Sequence, residues 1–322
     1  MKNSMNTKAL VEGAIFASVT AALGIMVYYM PLLSLIGMFW ATPIIIIGFR
    51  NGFKVSFISA AVAGAIVSIF TEPFSGLYLF MVFGISGIVM GWLMNRKVSP
   101  SVNITVSGLV LALCSVFGIL FGFFIAGQSA AQVIEQLMKI MNESIDTTVS
   151  LYKSMGISED QLNSIVTMMK EGITAMQYII PTLFLMNGML FSFINFKAVK
   201  LILGRMKYQI EDVKPFSQWR LPDNFSLGML VIVLLTMMAS YLQIPNIQTV
   251  QINIIYIVRW VFTIVGLSAA SFFLEKYKVA RPFKVFILVF LFLTLSNYLT
   301  IVGLIDAIFN FRKLDKRHIG GI

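Results

Sequence analysis

The stretch "KALVEGAIFASVTAALGIMVYYMP", residues 8–31, decides the fold class. It carries no charge after Glu12, and as a helix it is long enough to cross a hydrocarbon core of about 30 Å. The same helix has two adjacent i, i+4 rows of small residues, which are Gly13, Ala17 and Ala21, and beside them Ala14, Ser18 and Ala22. Small residues let helices approach closely in lipid. We expect the first row to pack inside the protein and the second to be a docking row for a helix of another chain.

The composition of the whole chain agrees with a membrane environment. Hydrophobic residues make up 58% of the 322 residues, charged residues only 12%, and the mean hydropathy is +0.88. So few charges do not cover a water-soluble surface of this size. The apolar runs are about 20 residues long and lack strict alternation, which is typical of membrane helices and argues against a β-barrel. The sequence therefore predicts an all-α, polytopic transmembrane helical bundle.

Several kinds of chemistry are unexpected in this sequence. Cys114 is the only cysteine and His318 the only histidine, so we predict no metal site and no disulfide. The motif "GISG" at 84–87 is similar to that of intramembrane serine proteases, but no histidine within the apolar runs offers a base for Ser86. The sequence holds no nucleotide-binding or zinc motif. We expect no catalytic residue, no cofactor and no enzyme activity, and any use of ATP would depend on a partner.

The order of apolar runs and charged joints predicts the topology. The predicted membrane segments lie near 8–30, 32–48, 54–70, 74–94, 101–127, 173–196, 225–242, 251–274 and 283–311. Lysine and arginine are concentrated in alternate joints, so by the positive-inside rule the N-terminus is cytoplasmic. The net charge of +10 then faces anionic lipid, and we do not expect nucleic-acid binding.

The last apolar run leaves two alternatives open. Residues 283–311 would be about 43 Å long as one helix, which is long for one crossing and short for two. A single crossing gives about nine membrane helices and places the basic tail, residues 312–322, outside. A bend near Asn297 and Tyr298 would instead return the tail to the cytoplasm.

One segment outside the membrane has a helical pattern of its own. Within 128–172, apolar residues recur at helical spacing on one stripe, namely Ile134, Leu137, Met138, Met141 and Ile145. Gly156 suits a helix end, and "SEDQ" at 158–161 is typical of a capping box that opens a second helix. We predict an extracytoplasmic amphipathic helical hairpin, which either lies on lipid and covers the bundle or acts as a lid or partner-docking arm.

The first part of the chain resembles a known transporter component. A first helix with a small-residue face is followed by Pro31, "ATPIIIIGFRNG" at 41–52, a third helix rich in small residues, and a glycine-rich fourth. This order resembles the S components of energy-coupling-factor (ECF) transporters. The resemblance implies that residues 1–200 form a six-helix substrate-binding domain, that small faces of its first helices pack on a coupling subunit with ATPases, and that a small solute binds near Tyr28, Tyr29 and Pro31.

Two features depart from that resemblance. S components normally end after six helices and lack the 128–172 insertion, whereas this chain continues through a basic cytoplasmic loop, 201–224, and C-terminal membrane helices, 225–311. The full layout, including "PFSQWRLP" at 215–222 and "GLIDAIFNFRK" at 303–313, resembles the YybS-like family of bacterial multi-spanning proteins. That resemblance implies a bacterial cytoplasmic membrane protein.

Polar residues within or beside the apolar runs are the candidate site residues, because polar groups in lipid are unfavourable unless they have a partner or a function. We expect a ligand-binding cluster near the outer surface if the helices that carry these residues are adjacent. Its members would be Tyr28, Tyr29, Glu72, Gln177, Tyr178 and Asn187. The alternatives are that Glu72 caps the next helix and that the asparagines Asn187 and Asn195 hydrogen-bond between helices.

Arg259 is the charge placed deepest within an apolar run. We predict an intramembrane ion pair between Arg259 and Asp306, with an anion site and simple snorkelling of the arginine as alternatives. Two functions remain open for the protein. The first is binding or transport of a small solute in the manner of an ECF component. The second is a membrane scaffold or regulator that recruits other envelope proteins.

Overall fold

The computed structural model describes residues 7–222, 224–245 and 247–314, apart from the side chains of Ala130 and Gln177. Throughout these residues the regular structure is helical, as predicted. The helices are α1 (Thr7–Tyr29), α2 (Thr42–Phe70), α3 (Pro73–Leu79), α4 (Ile85–Asn95), α5 (Pro100–Ile125), α6 (Ala130–Ser154), α7 (Glu159–Arg205), α8 (Phe225–Tyr241), α9 (Ile247–Lys276) and α10 (Arg281–Phe309). Short 3-10 helices occupy Pro31–Phe39 and Phe216–Gln218, and a π-helical turn, Phe80–Gly84, joins α3 to α4.

The chain forms two compact units. The first contains the residues up to Thr174 together with Leu183–Val213, and the second contains Ala175–Thr182 and the residues from Lys214 onward. The predicted first domain, residues 1–200, shares most of its residues with the first unit, which in addition extends to Val213 and lacks Ala175–Thr182.

Many of these helices are long enough to cross a membrane. In the described residues, seven helical stretches are long and apolar enough to cross a membrane, and α8 is a shorter apolar helix. One of the seven, Pro31–Phe70, corresponds to two of the predicted segments. The chain is thus a polytopic helical membrane protein.

The stretch Pro31–Phe70 is a helical hairpin without a loop. Gly52 has φ +82° and ψ −176°, a backbone conformation that interrupts α2 and that glycine adopts at little cost. The two legs then pack on each other, since Trp40 shares a buried cluster with Ala63 and Val67. The predicted segments 32–48 and 54–70 are therefore separate legs. Half of the first, Pro31–Phe39, is a 3-10 helix and not the expected α-helix.

The core of the first unit lies between α2, α4 and the C-terminal part of α7, Leu183–Arg205, which we call the membrane half. Its buried cluster includes Ile45, Met90, Phe196 and Val199. Asn195 fixes this packing, because its side-chain oxygen accepts a hydrogen bond from Thr42 at 2.8 Å and its amide nitrogen donates to the Met38 carbonyl at 2.9 Å. The predicted interhelical role of Asn195 is confirmed.

The helices α6 and α7 differ from prediction in one important way. The chain turns between them at Gly156, which has φ +80°, as expected for a helix end. However, α7 runs for 47 residues without ending, so the predicted outer helix and the sixth membrane helix are one element. We call residues 159–174 of α7 the stalk. They continue the membrane half of the helix by about 24 Å, which favours projection from the membrane over lying flat on lipid.

The cap of α7 also differs from prediction. Ser158 occupies the N-cap position of α7, but its side chain makes no capping hydrogen bond. A capping box is found instead at α6, where Ser129 and Gln132 bond reciprocally at 3.2 and 2.8 Å. Within the predicted stripe Ile145 is buried, whereas Ile134 and Leu137 are about half exposed.

The last helix folds back on itself. At Leu295 the backbone of α10 leaves helical geometry. Before that point Lys284 bonds Glu275 near the end of α9, and beyond the bend the Phe311 ring stacks on Phe273, with centroids 5.9 Å apart, near that same end. Asn297, beside the bend, bonds Arg259 farther back along α9. The predicted bend near Asn297 and Tyr298 is therefore the alternative that the structure supports. Most of the basic tail, 315–322, lies outside the described residues.

Candidate functional site

The two small-residue rows of α1 have different surroundings. Gly13, Ala17 and Ala21 are buried in the first unit. The Gly13 carbonyl accepts a hydrogen bond from Ser59 at 3.0 Å, and a Cβ at Gly13 would lie 2.9 Å from side-chain atoms of Ser59 and Val55. This row packs against α2 as predicted, and its small size is needed for that contact.

The docking row, Ala14, Ser18 and Ala22, is exposed along its full length. The Ser18 hydroxyl donates to the Ala14 carbonyl at 3.0 Å, so the polar group of this row is satisfied within its own helix. Larger exposed side chains, Val11 at 55% and Ile15 at 58%, stand beside it. The result is a shallow apolar depression on the surface of α1.

The N-terminal part of α1 is bound to the turn of α2. Glu12 accepts hydrogen bonds from Arg50 and Asn51, both at 2.9 Å. These residues directly precede Gly52, so Glu12 fastens α1 to the hairpin turn.

A polar cluster joins the other end of α1 to the end of α2. Tyr28 donates to Glu72 at 2.9 Å, and Tyr29 donates to the Phe70 carbonyl at 2.6 Å. The two tyrosine rings meet edge to face with centroids 5.2 Å apart. Glu72 stands at the N-cap position of α3 but forms no side-chain cap there, so the predicted capping role is wrong. Three of the six predicted ligand residues are therefore brought together.

The remaining predicted ligand residues do not add side chains to that cluster in the described structure. Tyr178 uses its backbone carbonyl to accept a hydrogen bond from Asn253 at 2.6 Å, within the second unit. Asn187 is an exposed residue of α7. The side chain of Gln177 lies outside the described residues.

The predicted pair between Arg259 and Asp306 is wrong. Arg259 is exposed and donates to the Asn297 side chain at 2.6 Å, at the bend of α10. Asp306 instead pairs with Arg312, and both side chains are fully buried at 1% exposure or less. The bend of α10 explains why Arg259 does not pair with Asp306, because it places Asn297 beside Arg259.

Arg312 was missed by sequence reasoning and makes the densest polar contact in the second unit. Two of its N–H groups donate to Asp306, at 2.9 and 2.5 Å. The other three donate at 2.8 Å to the carbonyls of Ser217 and Trp219 and to the Ser268 hydroxyl. All five guanidinium donors are thus satisfied. This centre fixes the 215–219 segment to α9 and α10.

Two cavities in the described residues do not form an enclosed solute pocket, because one is too small and the other is open to the surface. One holds about 10 Å³ between Phe83, Ser86, Ser192 and Asn195, which is room for a single water molecule. The other, about 540 Å³, is an open surface cleft lined by Lys200, Tyr208 and Glu211. A preformed solute pocket of about 300–1,000 Å³ is the usual arrangement for small ligands.

Two comparisons relate the chain to known proteins. Residues 18–307 match the family described as "Predicted membrane protein (DUF2232)". The chain is 29% identical over 314 residues to "Uncharacterized protein YybS" of Bacillus subtilis (strain 168), across 95% of this chain and 98% of that protein. No solved structure matches it significantly.

Proposed function

We propose a docking function for this chain, which belongs to the "Predicted membrane protein (DUF2232)" family. In this proposal the protein is a membrane scaffold or regulator that binds a helix of another integral membrane protein along α1. The observation that carries the proposal is the exposure of Ala14, Ser18 and Ala22 while the neighbouring row is buried.

The physical basis is the way helices associate in lipid. Lipid tails are as apolar as the side chains that they solvate, so association depends on close van der Waals packing and on small residues that allow it. The docking row extends for about 12 Å along the helix. Its own polar group is already bonded to Ala14, so a partner helix would meet a smooth surface bordered by Val11 and Ile15.

In the part of the chain that the structure describes, the docking row is exposed. Packing against α2 is made instead by Gly13 and Ala17. The tyrosines at the outer end of α1 are engaged by Glu72 and the Phe70 carbonyl, which favours a structural role for them over a ligand site. These contacts make docking the better-supported function.

The test is a substitution at the centre of the docking row. We expect Ser18→Leu to abolish co-purification of an integral membrane partner from native membranes in mild detergent, because the added side chain fills the depression. The matched control Ser18→Ala keeps a small residue and should retain the partner. Ala17→Leu, in the buried row, should lower the thermal stability of the protein instead.

Crosslinking makes the assignment specific to this surface. A cysteine placed at Ser18 should crosslink to the same partner that Ser18→Leu loses, whereas a cysteine at the exposed Val102 of α5 should not. Full retention of every membrane partner by Ser18→Leu would refute the docking function.

A second function, solute binding in the manner of an ECF component, is favoured by one observation. Tyr28, Tyr29 and Glu72 gather at the end of α1 beside the Pro31–Phe39 helix, where the resemblance to S components implies a small solute. If this function is correct, the partner that depends on Ser18 will be a coupling subunit bound to ATPases. Uptake of a solute should then be lost in both Ser18→Leu and Tyr28→Ala. Co-purification without any ATPase would favour the scaffold.

A further inference from the structure

The long helix α7 contains a proline at a critical place. Pro181 lies inside the helix, between the stalk and the membrane half that begins at Leu183. A proline within a helix lacks the N–H that would bond four residues back, and its ring disturbs the preceding turn. The groups around such a proline need other partners when they are buried.

Asn253 of α9 supplies those partners with one side chain. Its Oδ1 accepts from the Thr182 backbone N–H at 3.1 Å and from the Thr182 hydroxyl at 2.7 Å. Its Nδ2 donates to the Tyr178 carbonyl at 2.6 Å and to the Thr249 carbonyl at 2.8 Å. In an unbroken helix the Thr182 N–H and the Tyr178 carbonyl would bond to each other. The Asn253 amide bonds both of these groups.

The Thr182 and Asn253 side chains are buried, and the Asn253 amide makes its full set of hydrogen bonds. Thr182 is 1% exposed and Asn253 is 9% exposed, so water is a poor substitute for the amide. All four hydrogen-bonding positions of the asparagine amide are used, two by its oxygen and two by its nitrogen. An apolar residue at 253 would leave the Thr182 N–H without this partner.

We infer that α7 has a hinge at Pro181 and that Asn253 is the latch that fixes the helix angle there. With the latch engaged, α7 keeps the continuous helical geometry that the structure shows, and the stalk keeps one angle to the membrane half. With the latch released, the groups around Pro181 lose these partners and the angle between the stalk and the membrane half can change. A contact made on the stalk can thereby change the angle of the membrane half, or the reverse. This device is independent of the docking row and of any partner there.

The experiment uses pulsed electron–electron double resonance to measure the distance between two spin labels on α7. This distance reports the angle between the stalk and the membrane half. Spin labels are placed at Thr167 on the stalk and at Leu190 on the membrane half, both exposed, in the full chain with Cys114→Ala. These positions are about 35 Å apart along a straight helix. We expect a narrow distance distribution in the parent, and a broader one with a shifted mean in Asn253→Leu.

The proline variant tests the mechanism. Pro181→Ala restores the missing N–H, so it should make the distance distribution insensitive to Asn253→Leu. Asn187→Leu, an exposed asparagine of the same helix, is the matched control and should leave the distribution unchanged. Amide hydrogen exchange at Thr182 gives a second measurement, with protection expected to fall at least tenfold in Asn253→Leu.

Three results would contradict the inference. An unchanged distribution and unchanged protection in Asn253→Leu would exclude a latch. An effect of Asn253→Leu that persists fully in Pro181→Ala would assign Asn253 a role unrelated to the bend. If Asn253→Leu alone does not fold, recovery of folding by Pro181→Ala supports the latch and failure to recover contradicts it.

Discussion

Replacing Arg312 is the sharpest test of how the second unit is held together. We consider Arg312→Met, which keeps an unbranched apolar side chain and removes all five donors. The Asp306 carboxylate is then left buried, at 1% exposure, without its cation. One of its oxygens, Oδ1, already lacks a partner in the described structure, so little compensation is available.

The magnitude follows from these contacts. Breaking a buried ion pair by removing one partner destabilises a protein by about 3–5 kcal/mol. Arg312→Lys should lie between the parent and Arg312→Met, because an ammonium group does not reproduce five donors in a planar fork. In the double variant Arg312→Met with Asp306→Leu the stranded charge is gone. Only the loss of donors to the Ser217 and Trp219 carbonyls and to the Ser268 hydroxyl remains, about 1–3 kcal/mol.

The assay is unfolding of the purified protein in mixed detergent micelles, titrated with a denaturing detergent. Intrinsic fluorescence from the four tryptophans reports unfolding, and one of them, Trp219, lies next to the site, since its carbonyl accepts from Arg312 at 2.8 Å. The reasoning predicts that the double variant is more stable than Arg312→Met alone. A double variant that is equally or less stable, or an Arg312→Met variant within 1 kcal/mol of the parent, where losses of about 3 kcal/mol are expected, would refute it.

Three further predictions concern other parts of the molecule. A Cβ at Gly303 would overlap the Phe262 carbonyl oxygen, so Gly303→Ala should lower the melting temperature, whereas Gly228→Ala, with open space around it, should not. Partial burial raises the pKa of Asp212, but hydrogen bonds from Lys197 and Lys200 outweigh burial and hold the pKa below its usual value. The charged carboxylate therefore stabilises the folded state above the unfolded-state pKa of about 3.9. This stabilisation is lost as the pH falls through the lower folded-state pKa. Unfolding titrations should show that Asp212→Asn removes this acid dependence. Ser144→Cys should react with an impermeant thiol reagent in intact cells and Lys313→Cys should not, since Arg312 binds the 215–219 segment of the predicted cytoplasmic loop; labelling of both would contradict the predicted sidedness.

Features fixed by local composition could be predicted from the sequence. The split of α1 into a buried and an exposed small row follows from helical spacing, and the turn at Gly156 follows from the conformational freedom of glycine. Both depend on residues that are neighbours in the sequence. The length of the last apolar run offered the bend near Asn297 and Tyr298 only as one of two alternatives, and tertiary contacts with α9 decide between them.

Partners fixed by tertiary contact could not be predicted in this way. Asp306 and Arg312 are six residues apart, which in a continuous helix places them about 9 Å apart along the axis. They meet because the helix ends at Phe309 and Asn310 adopts a left-handed conformation, φ +46°. The choice of Arg259 as the partner of Asp306 failed because it assumed a straight last helix.

The sequence pattern also could not predict that α7 is one continuous helix. The sequence predicted an outer helix that ends by residue 172 and a separate membrane segment near 173–196. In the structure the two are one helix, and Asn253, 71 residues away from Thr182, bonds the groups around Pro181. No local signal identifies such a distant partner.

The hairpin of α10 has a consequence for the surrounding lipid. Its first leg, from Arg281 to Leu295, is about 22 Å long, which is shorter than the roughly 30 Å hydrocarbon layer. The bend, with the Arg259–Asn297 hydrogen bond beside it, therefore stops short of the far interface. A hydrophobic segment shorter than the hydrocarbon layer is accommodated in part by local thinning of the bilayer, so we expect a thinner bilayer beside the exposed Arg259. The acyl-chain length of the lipid should then affect the second unit, because longer chains make this thinning more costly.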